Sequence, residues 1–77
     1  MQRSGVWRCT KGEFICNELG DEMQTVLDGN LRLKFEDGTT YEFGPGDTFF
    51  TKQGDRVTWD ILEDVTKVFM TVNSEGF

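Results

Sequence analysis

The chain of 77 residues contains no histidine, only two cysteines and one proline. Without histidine it lacks the commonest metal ligand and the side chain that titrates nearest to neutral pH. A Cys/His zinc site is therefore excluded. The two cysteines, Cys9 and Cys16, are too few for a disulfide framework. In a hairpin that turns near Lys11 they would lie about 7–8 Å apart on a diagonal, so we expect two small, buried, free thiols.

A small domain that lacks both disulfides and a structural metal is often stabilised by self-association. A core of this size supplies only about 3–5 kcal/mol of net stability. We therefore expect self-association.

Basic residues are also scarce, with 8 Lys and Arg against 14 Asp and Glu, and a net charge of −6. This balance argues against binding to nucleic acid or to an anionic membrane surface, since both need a basic face. No apolar run approaches the about 18 residues of a membrane span, and the first ten residues, MQRSGVWRCT, do not resemble a signal peptide. We expect a cytoplasmic protein whose thiols stay reduced.

Glycines recur at short intervals and separate short segments rich in Val, Phe, Thr and Leu. This spacing predicts an all-β sandwich or barrel, in one domain that spans residues 1–77. The clearest strand is Asn30 to Glu36, where apolar and polar residues alternate. The pattern predicts about eight short strands, namely Val6–Cys9, Glu13–Asn17, Glu22–Asp28, Asn30–Glu36, Thr39–Phe43, one between Gly46 and Gly54, Arg56–Leu62 and Thr66–Val72.

Two strands carry large apolar residues on both faces. Phe49 and Phe50 are adjacent and must point in opposite directions, so one is expected to fill the barrel and the other to lie on its outer face. Thr66–Val72 presents one face made of Val68, Met70 and Val72 and an opposite face made of Lys67, Phe69 and Thr71. We expect this strand to be covered on both sides.

Two segments resemble the motifs of the cupin superfamily. Glu22–Gly29, EMQTVLDG, is similar to the run from the glutamate to the glycine of the first cupin motif. Gly46–Gly54, GDTFFTKQG, is similar to the start of the second motif, with Lys52 at the usual proline position. The resemblance implies a small antiparallel β-barrel or jelly roll that is often a dimer.

The resemblance also shows departures at the metal ligands. The histidine pair of the first motif falls on Cys16 and Glu18, or on Ile15 and Asn17 by the longer spacing. Val57 stands at the histidine of the second motif, and Ile61 at its asparagine. Of the four usual ligands only Glu22 keeps its type, so we expect no metal and no cofactor.

The likeness extends over nearly the whole chain. SGVWRCTKGEF, FGPGD, GDRVTW and the later Lys67 together resemble the subfamily that includes the ureidoglycine aminohydrolases and the ethanolamine-utilisation cupins.

Even spacing places Cys16, Glu18, Glu22 and Gln24 on one face of an extended segment. Val57 and Trp59 would face them from the other half of the barrel. Trp59 and Trp7 could stack on a planar ligand or could belong to the core. The candidate pocket residues are Cys16, Glu18, Glu22, Gln24, Phe50, Val57 and Trp59, and no catalytic residue is assigned.

Three functions are compatible with this sequence. The first is a metal-free cupin that binds a small polar or aromatic molecule inside the barrel. The second is a homodimeric structural or interaction module with a packed barrel and no catalysis. A solvent-filled cavity of roughly 300 Å³ or more lined by Glu22 and Trp59 would argue against it. The third is a metal-independent enzyme whose paired carboxylates, Glu18 and Glu22, act as acid and base.

Overall fold

The computed structural model describes residues 2–73, and Met1 and residues 74–77 of the predicted domain lie outside that range. Six strands and no helix occur in residues 2–73, and all strand pairs are antiparallel. The predicted all-β class is thereby confirmed. The strands are β1 (Gln2–Cys9), β2 (Gly12–Asn17), β3 (Asp21–Phe35), β4 (Thr40–Phe43), β5 (Thr48–Thr51) and β6 (Arg56–Val72).

The chain forms six strands where the pattern predicted about eight, because two long strands each join two predicted ones. β3 runs through Gly29, and β6 runs through the polar segment Leu62-Glu63-Asp64. The register between β3 and β6 shifts at several points from Val26 to Leu31. These bulges bend both strands without ending them, so the turn-like residues mark bends inside continuous strands.

β3 and β6 pair along their length and divide the molecule into two halves. The first half of β3 pairs with the second half of β6, and β5 and β1 flank them. The second half of β3 pairs with the first half of β6, and β4 and β2 flank these. The halves contact each other where Phe43 of β4 stacks on Phe49 of β5, with ring centroids 4.2 Å apart.

The core consists of buried apolar side chains from both halves. Phe49 belongs to it, whereas Phe50 is 51% exposed on the outer face of β5. Burial of each large core side chain stabilises the fold by about 1.5–3 kcal/mol. The core residues are Val26, Leu31, Leu33, Phe49, Val57, Trp59, Ile61 and Val65.

The outer face of the half formed by β1, β6, β3 and β5 carries exposed apolar side chains. Lys67 and Thr71 point inward and are buried, while Val68, Met70 and Val72 remain exposed on the outside. In the single chain this part of β6 is therefore covered on one side, where the sequence predicted cover on both. We call the exposed residues the outer apolar patch, which consists of Val6, Met23, Phe50, Val68, Met70 and Val72.

Candidate ligand-binding cavity

A cavity of about 270 Å³ opens between β1, β2, the start of β3 and β6. Its walls combine aromatic rings with carboxylates, a thiol and an ammonium group. The lining residues are Arg3, Trp7, Phe14, Cys16, Glu18, Leu19, Gly20, Glu22, Trp59, Lys67, Phe69 and Thr71.

Lys67 provides a buried cation in this cavity. Its side chain is 4% exposed, and its Nζ donates hydrogen bonds to Glu22 Oε2 at 3.1 Å and to Gln24 Oε1. The same Nζ lies 4.6 Å from the ring centroid of Trp7 and 4.4 Å from that of Trp59. Two indole faces, one carboxylate and one amide oxygen thus surround the ammonium, and all four stabilise its positive charge.

Burial nevertheless lowers the pKa of Lys67 below the usual lysine value, because desolvation disfavours the charged form. The charges of Glu22 and Glu18 act in the opposite direction. A larger fraction of Lys67 is therefore neutral near pH 7 than of an exposed lysine.

Glu18 is the second buried charged residue of the cavity. Its Oε1 accepts a hydrogen bond from Trp59 Nε1 at 3.1 Å. Two backbone hydrogen bonds fix the loop that carries Glu18. Glu18 N donates to Asp55 O at 2.8 Å, and Gly54 N donates to Glu18 O at 2.9 Å. Burial raises the pKa of Glu18, the bond from Trp59 opposes this, and the nearby charge of Glu22 raises it further. Glu18 thereby holds its proton to a higher pH than an exposed glutamate.

Cys16 lies beside these carboxylates. Burial raises the pKa of its thiol, and the negative charges of Glu18 and Glu22 raise it further. The thiol therefore stays protonated at neutral pH, which makes it a poor nucleophile and a poor metal ligand. Both cysteines are free, as predicted, but they are half-buried where the sequence predicted buried thiols.

Three aromatic rings from different strands make one wall. Phe14 of β2 stacks on Trp59 of β6 with centroids 6.1 Å apart and planes inclined by 7°. Trp7 of β1 lies 6.4 Å from Phe14 and 6.0 Å from Trp59 at an angle of 55° to each. Trp7 and Phe14 are half-buried and present flat apolar surface that suits a planar ligand, and Trp59, 3% exposed, lies at the back of this wall.

The structure brings four of the seven candidate pocket residues to the cavity, namely Cys16, Glu18, Glu22 and Trp59. Gln24 lies behind the lining, 1% exposed, where it contacts Lys67 and donates to Thr51 Oγ1 at 3.2 Å.

The other two candidates do not line this cavity. Val57 is fully buried in the hydrophobic core, although it pairs with Cys16 of β2, which does line the cavity, and with Phe35 of β3. Phe50 points to the outer face of β5, because its neighbour Phe49 takes the inward position.

The cavity residues that the candidate set omits are chiefly Lys67, Trp7 and Phe14. Alternation in β6 placed Lys67 opposite an apolar face, and this was the available signal for an inward lysine. Its partner Glu22 lies 45 positions away in the sequence, so only the β3–β6 register shows that they meet.

The donor set does not fit the transition metal that the resemblance to cupins implies. The position of the second-motif histidine is occupied by Val57, whose side chain has no donor atom and lies in the core. The cation beside Glu22 is the ammonium of Lys67. No group of three or more Cys, Asp or Glu side chains that could hold a metal occurs in residues 2–73.

No helix within residues 2–73 is long and apolar enough to span a membrane.

Comparisons with solved structures show close similarity of fold. A DUF861 family protein from Thermotoga maritima is 28% identical, with a TM-score of 0.85. The aligned region covers 88% of this chain and 77% of the Thermotoga chain. A putative ethanolamine utilization protein Q from Salmonella typhimurium is 23% identical, with a TM-score of 0.81 over 91% of this chain. The EutQ protein of Clostridium difficile is 18% identical, with a TM-score of 0.86 over 96%.

The match spans only 56% and 58% of those two ethanolamine-utilisation proteins. A search of curated proteins gave no match. The sequence profile of the EutQ-like cupin domain matches residues 1–69, which is most of the chain. The chain therefore belongs to the EutQ-like cupin domain family.

Proposed function

We propose that the protein binds a small planar molecule carrying a polar group in the cavity described above. The observation that carries this proposal is an open space of about 270 Å³ whose walls are aromatic and whose buried polar groups converge. Apolar walls with a few placed polar groups are typical of small-molecule sites.

The size of the space limits the ligand. It equals the volume of about nine water molecules in the liquid. Ligand pockets commonly measure about 300–1,000 Å³, so this cavity lies just below the common range. The proposed ligand has about the size of a single substituted ring.

The same cavity counts against the alternative of a simply packed barrel. Glu22 and Trp59 both line it, and these are the two residues that the sequence analysis named for a ligand cavity. A packed barrel would fill this space with apolar side chains, since protein interiors leave few voids larger than a water molecule.

Intrinsic fluorescence tests ligand binding directly, because the only two tryptophans of the chain, Trp7 and Trp59, both line the cavity. Saturable quenching or a spectral shift is expected with small aromatic alcohols such as benzyl alcohol. Cys16→Leu would fill part of the cavity and should weaken binding about tenfold, a cost of about 1.4 kcal/mol.

Ile15→Leu is the matched control. Ile15 precedes Cys16 but is 57% exposed on the other face of β2, so this variant should bind as the wild type does. Absence of a saturable response across a panel of ring-sized ligands, or equal affinity for the Cys16→Leu variant, would contradict the proposal.

We also propose that two copies of the chain form a homodimer through the outer apolar patch. Register places its members side by side, since Val6 pairs with Val68, and Met23 pairs with both Met70 and Phe50. Their exposed fractions range from 37% to 61%. Contiguous apolar surface of this kind marks an interaction site.

A second copy is the occupant that the charges favour. The six patch residues carry no charge in a chain with 29% charged residues and a net charge of −6. Two such patches can meet without burying an unpaired charge, and an isologous dimer brings the same surface together twice.

The free thiols fit the reducing cytoplasm, where we place the protein.

Sedimentation velocity tests the dimer. The wild-type protein should sediment as a dimer at micromolar concentration, and Met70→Glu should shift it to monomer, because each interface would bury two unpaired carboxylates. Ile15→Glu places the same charge at an exposed position outside the patch and should remain dimeric. A monomeric wild type, or a dimer unaffected by Met70→Glu, would contradict the proposal.

A further inference from the structure

We propose that Lys67 binds a small planar aldehyde covalently, as a reversible imine inside the cavity. This inference rests on the proposed function, since it assigns a ligand class to the same cavity. It goes beyond simple binding because the buried amine of Lys67 would form a covalent bond to the ligand.

The position of the Lys67 amine supports imine formation. Lys67 Nζ lies in the cavity wall over the faces of Trp7 and Trp59, the rings against which a planar ligand would stack. A carbonyl carbon attached to that ligand would therefore approach the nitrogen. Buried lysines whose charged form is disfavoured are the residues that proteins use for imine chemistry.

The surroundings of the ammonium also suit the product. A protonated imine carries the same positive charge at the same nitrogen. Glu22 Oε2 at 3.1 Å and the two indole faces would therefore stabilise the product as they stabilise the ammonium. The aromatic wall would shield the C=N bond from water.

The reaction balances with the groups present. The ammonium of Lys67 passes one proton to Glu22, and the neutral nitrogen attacks the carbonyl carbon to form the C–N bond. The carbonyl oxygen takes a proton from Glu18, and the nitrogen then returns one to the Glu18 carboxylate. A second proton from Glu18 allows the C–O bond to break, water leaves, and the nitrogen lone pair forms C=N.

No proton is gained or lost overall. Ammonium and aldehyde give protonated imine and water, and the proton left on Glu22 passes to Glu18. The raised pKa of Glu18 means that it holds its proton to a higher pH than an exposed glutamate, which suits a proton donor. Cys16 is not the nucleophile, because the same carboxylates raise the pKa of its thiol.

Reductive trapping tests this proposal on the unmodified wild-type protein. Benzaldehyde and sodium cyanoborohydride would convert the imine into a stable benzylamine, and peptide mass spectrometry would locate it. Lys67 should be labelled about tenfold faster near pH 7 than the exposed Lys11, Lys34 and Lys52, because its lowered pKa leaves more of the amine neutral and the cavity holds the aldehyde beside it. As the pH is raised, the labelling rate of Lys67 should also reach its plateau at a lower pH than the rates of the exposed lysines, because the pKa of Lys67 is lowered.

Labelling of Lys67 no faster than that of the exposed lysines, or no label at Lys67, would overturn the proposal. Benzyl alcohol separates this failure from failure of the binding site, since it has no carbonyl group. If benzyl alcohol quenches the tryptophans and slows benzaldehyde labelling of Lys67, both proposals stand. If it binds while Lys67 stays unlabelled, the cavity binds ligands but the imine proposal is wrong.

Discussion

Lys67→Met is expected to lower the free energy of unfolding by about 3–5 kcal/mol, because removal of the ammonium leaves the half-buried carboxylate of Glu22 without its counter-charge. Glu22 loses the ammonium that lies 3.1 Å from its carboxylate. Gln24, 1% exposed, loses the donor to its Oε1. Since a domain of this size has only about 3–5 kcal/mol of net stability, a large fraction of the variant, about half, should be unfolded at 25 °C.

Urea denaturation followed by circular dichroism measures this loss, with trimethylamine oxide added so that every variant starts folded. The double variant Lys67→Met, Glu22→Met is the control, because it removes both charges and leaves apolar groups of similar volume. It should regain about half of the lost stability or more. A loss below about 1 kcal/mol for Lys67→Met would mean that solvent screens the pair as it does at a surface.

Gly29→Ala is the second substitution with a large expected effect. Gly29 lies at the bulge of β3 with φ of 86°, a left-handed conformation that costs other residues about 1–2 kcal/mol. An added Cβ would also lie 2.1 Å from the backbone oxygen of Asp64 in β6. The strand pair must shift to relieve that contact, so we expect a total loss above about 3 kcal/mol.

Gly38→Ala separates the two costs. Gly38 has φ of 90°, but a Cβ there would meet nothing within 4 Å. It should therefore lose only about 1 kcal/mol, which is the conformational part alone. Equal losses for the two variants in the same urea experiment would show that the close approach of β3 and β6 at Gly29 does not matter.

Strand alternation accounts for much of what the sequence could predict. The inward Leu31, Leu33, Trp59 and Ile61 are all buried, as period-two spacing requires. The opposite directions of Phe49 and Phe50 follow from the same rule, but the rule does not say which ring is inside. The all-β class was therefore predictable from alternation, whereas the cupin-like fold followed from the motif resemblance, and Phe50, a candidate pocket residue, lies outside the cavity.

The number of strands was not predictable, because a bulge and a turn share the same residues. Gly29 and the segment Leu62-Glu63-Asp64 resemble turns locally, yet the long pairing of β3 with β6 keeps both strands continuous through them. Sequence spacing contains no information about such pairing across the chain.

From the sequence we could predict which site residues share a face within one segment, but not which residues from distant strands join them. Even spacing identified Cys16, Glu18 and Glu22, which all line the cavity. Lys67 and Trp7 reach the same cavity from strands far away in the sequence, so their convergence follows from the register. Val57 lies wholly in the core although it pairs with Cys16, and its spacing does not distinguish it from Trp59, which lines the cavity.

A crystal structure of the wild-type protein soaked with benzyl alcohol tests the central claim most directly. The account predicts density for a flat ring against Trp7 and Trp59, with its hydroxyl group within hydrogen-bond distance of Lys67, Glu22 or Glu18. Side chains closed over the space, with the three aromatic rings and Phe69 packed together and no ligand density, would contradict a ligand-binding cavity.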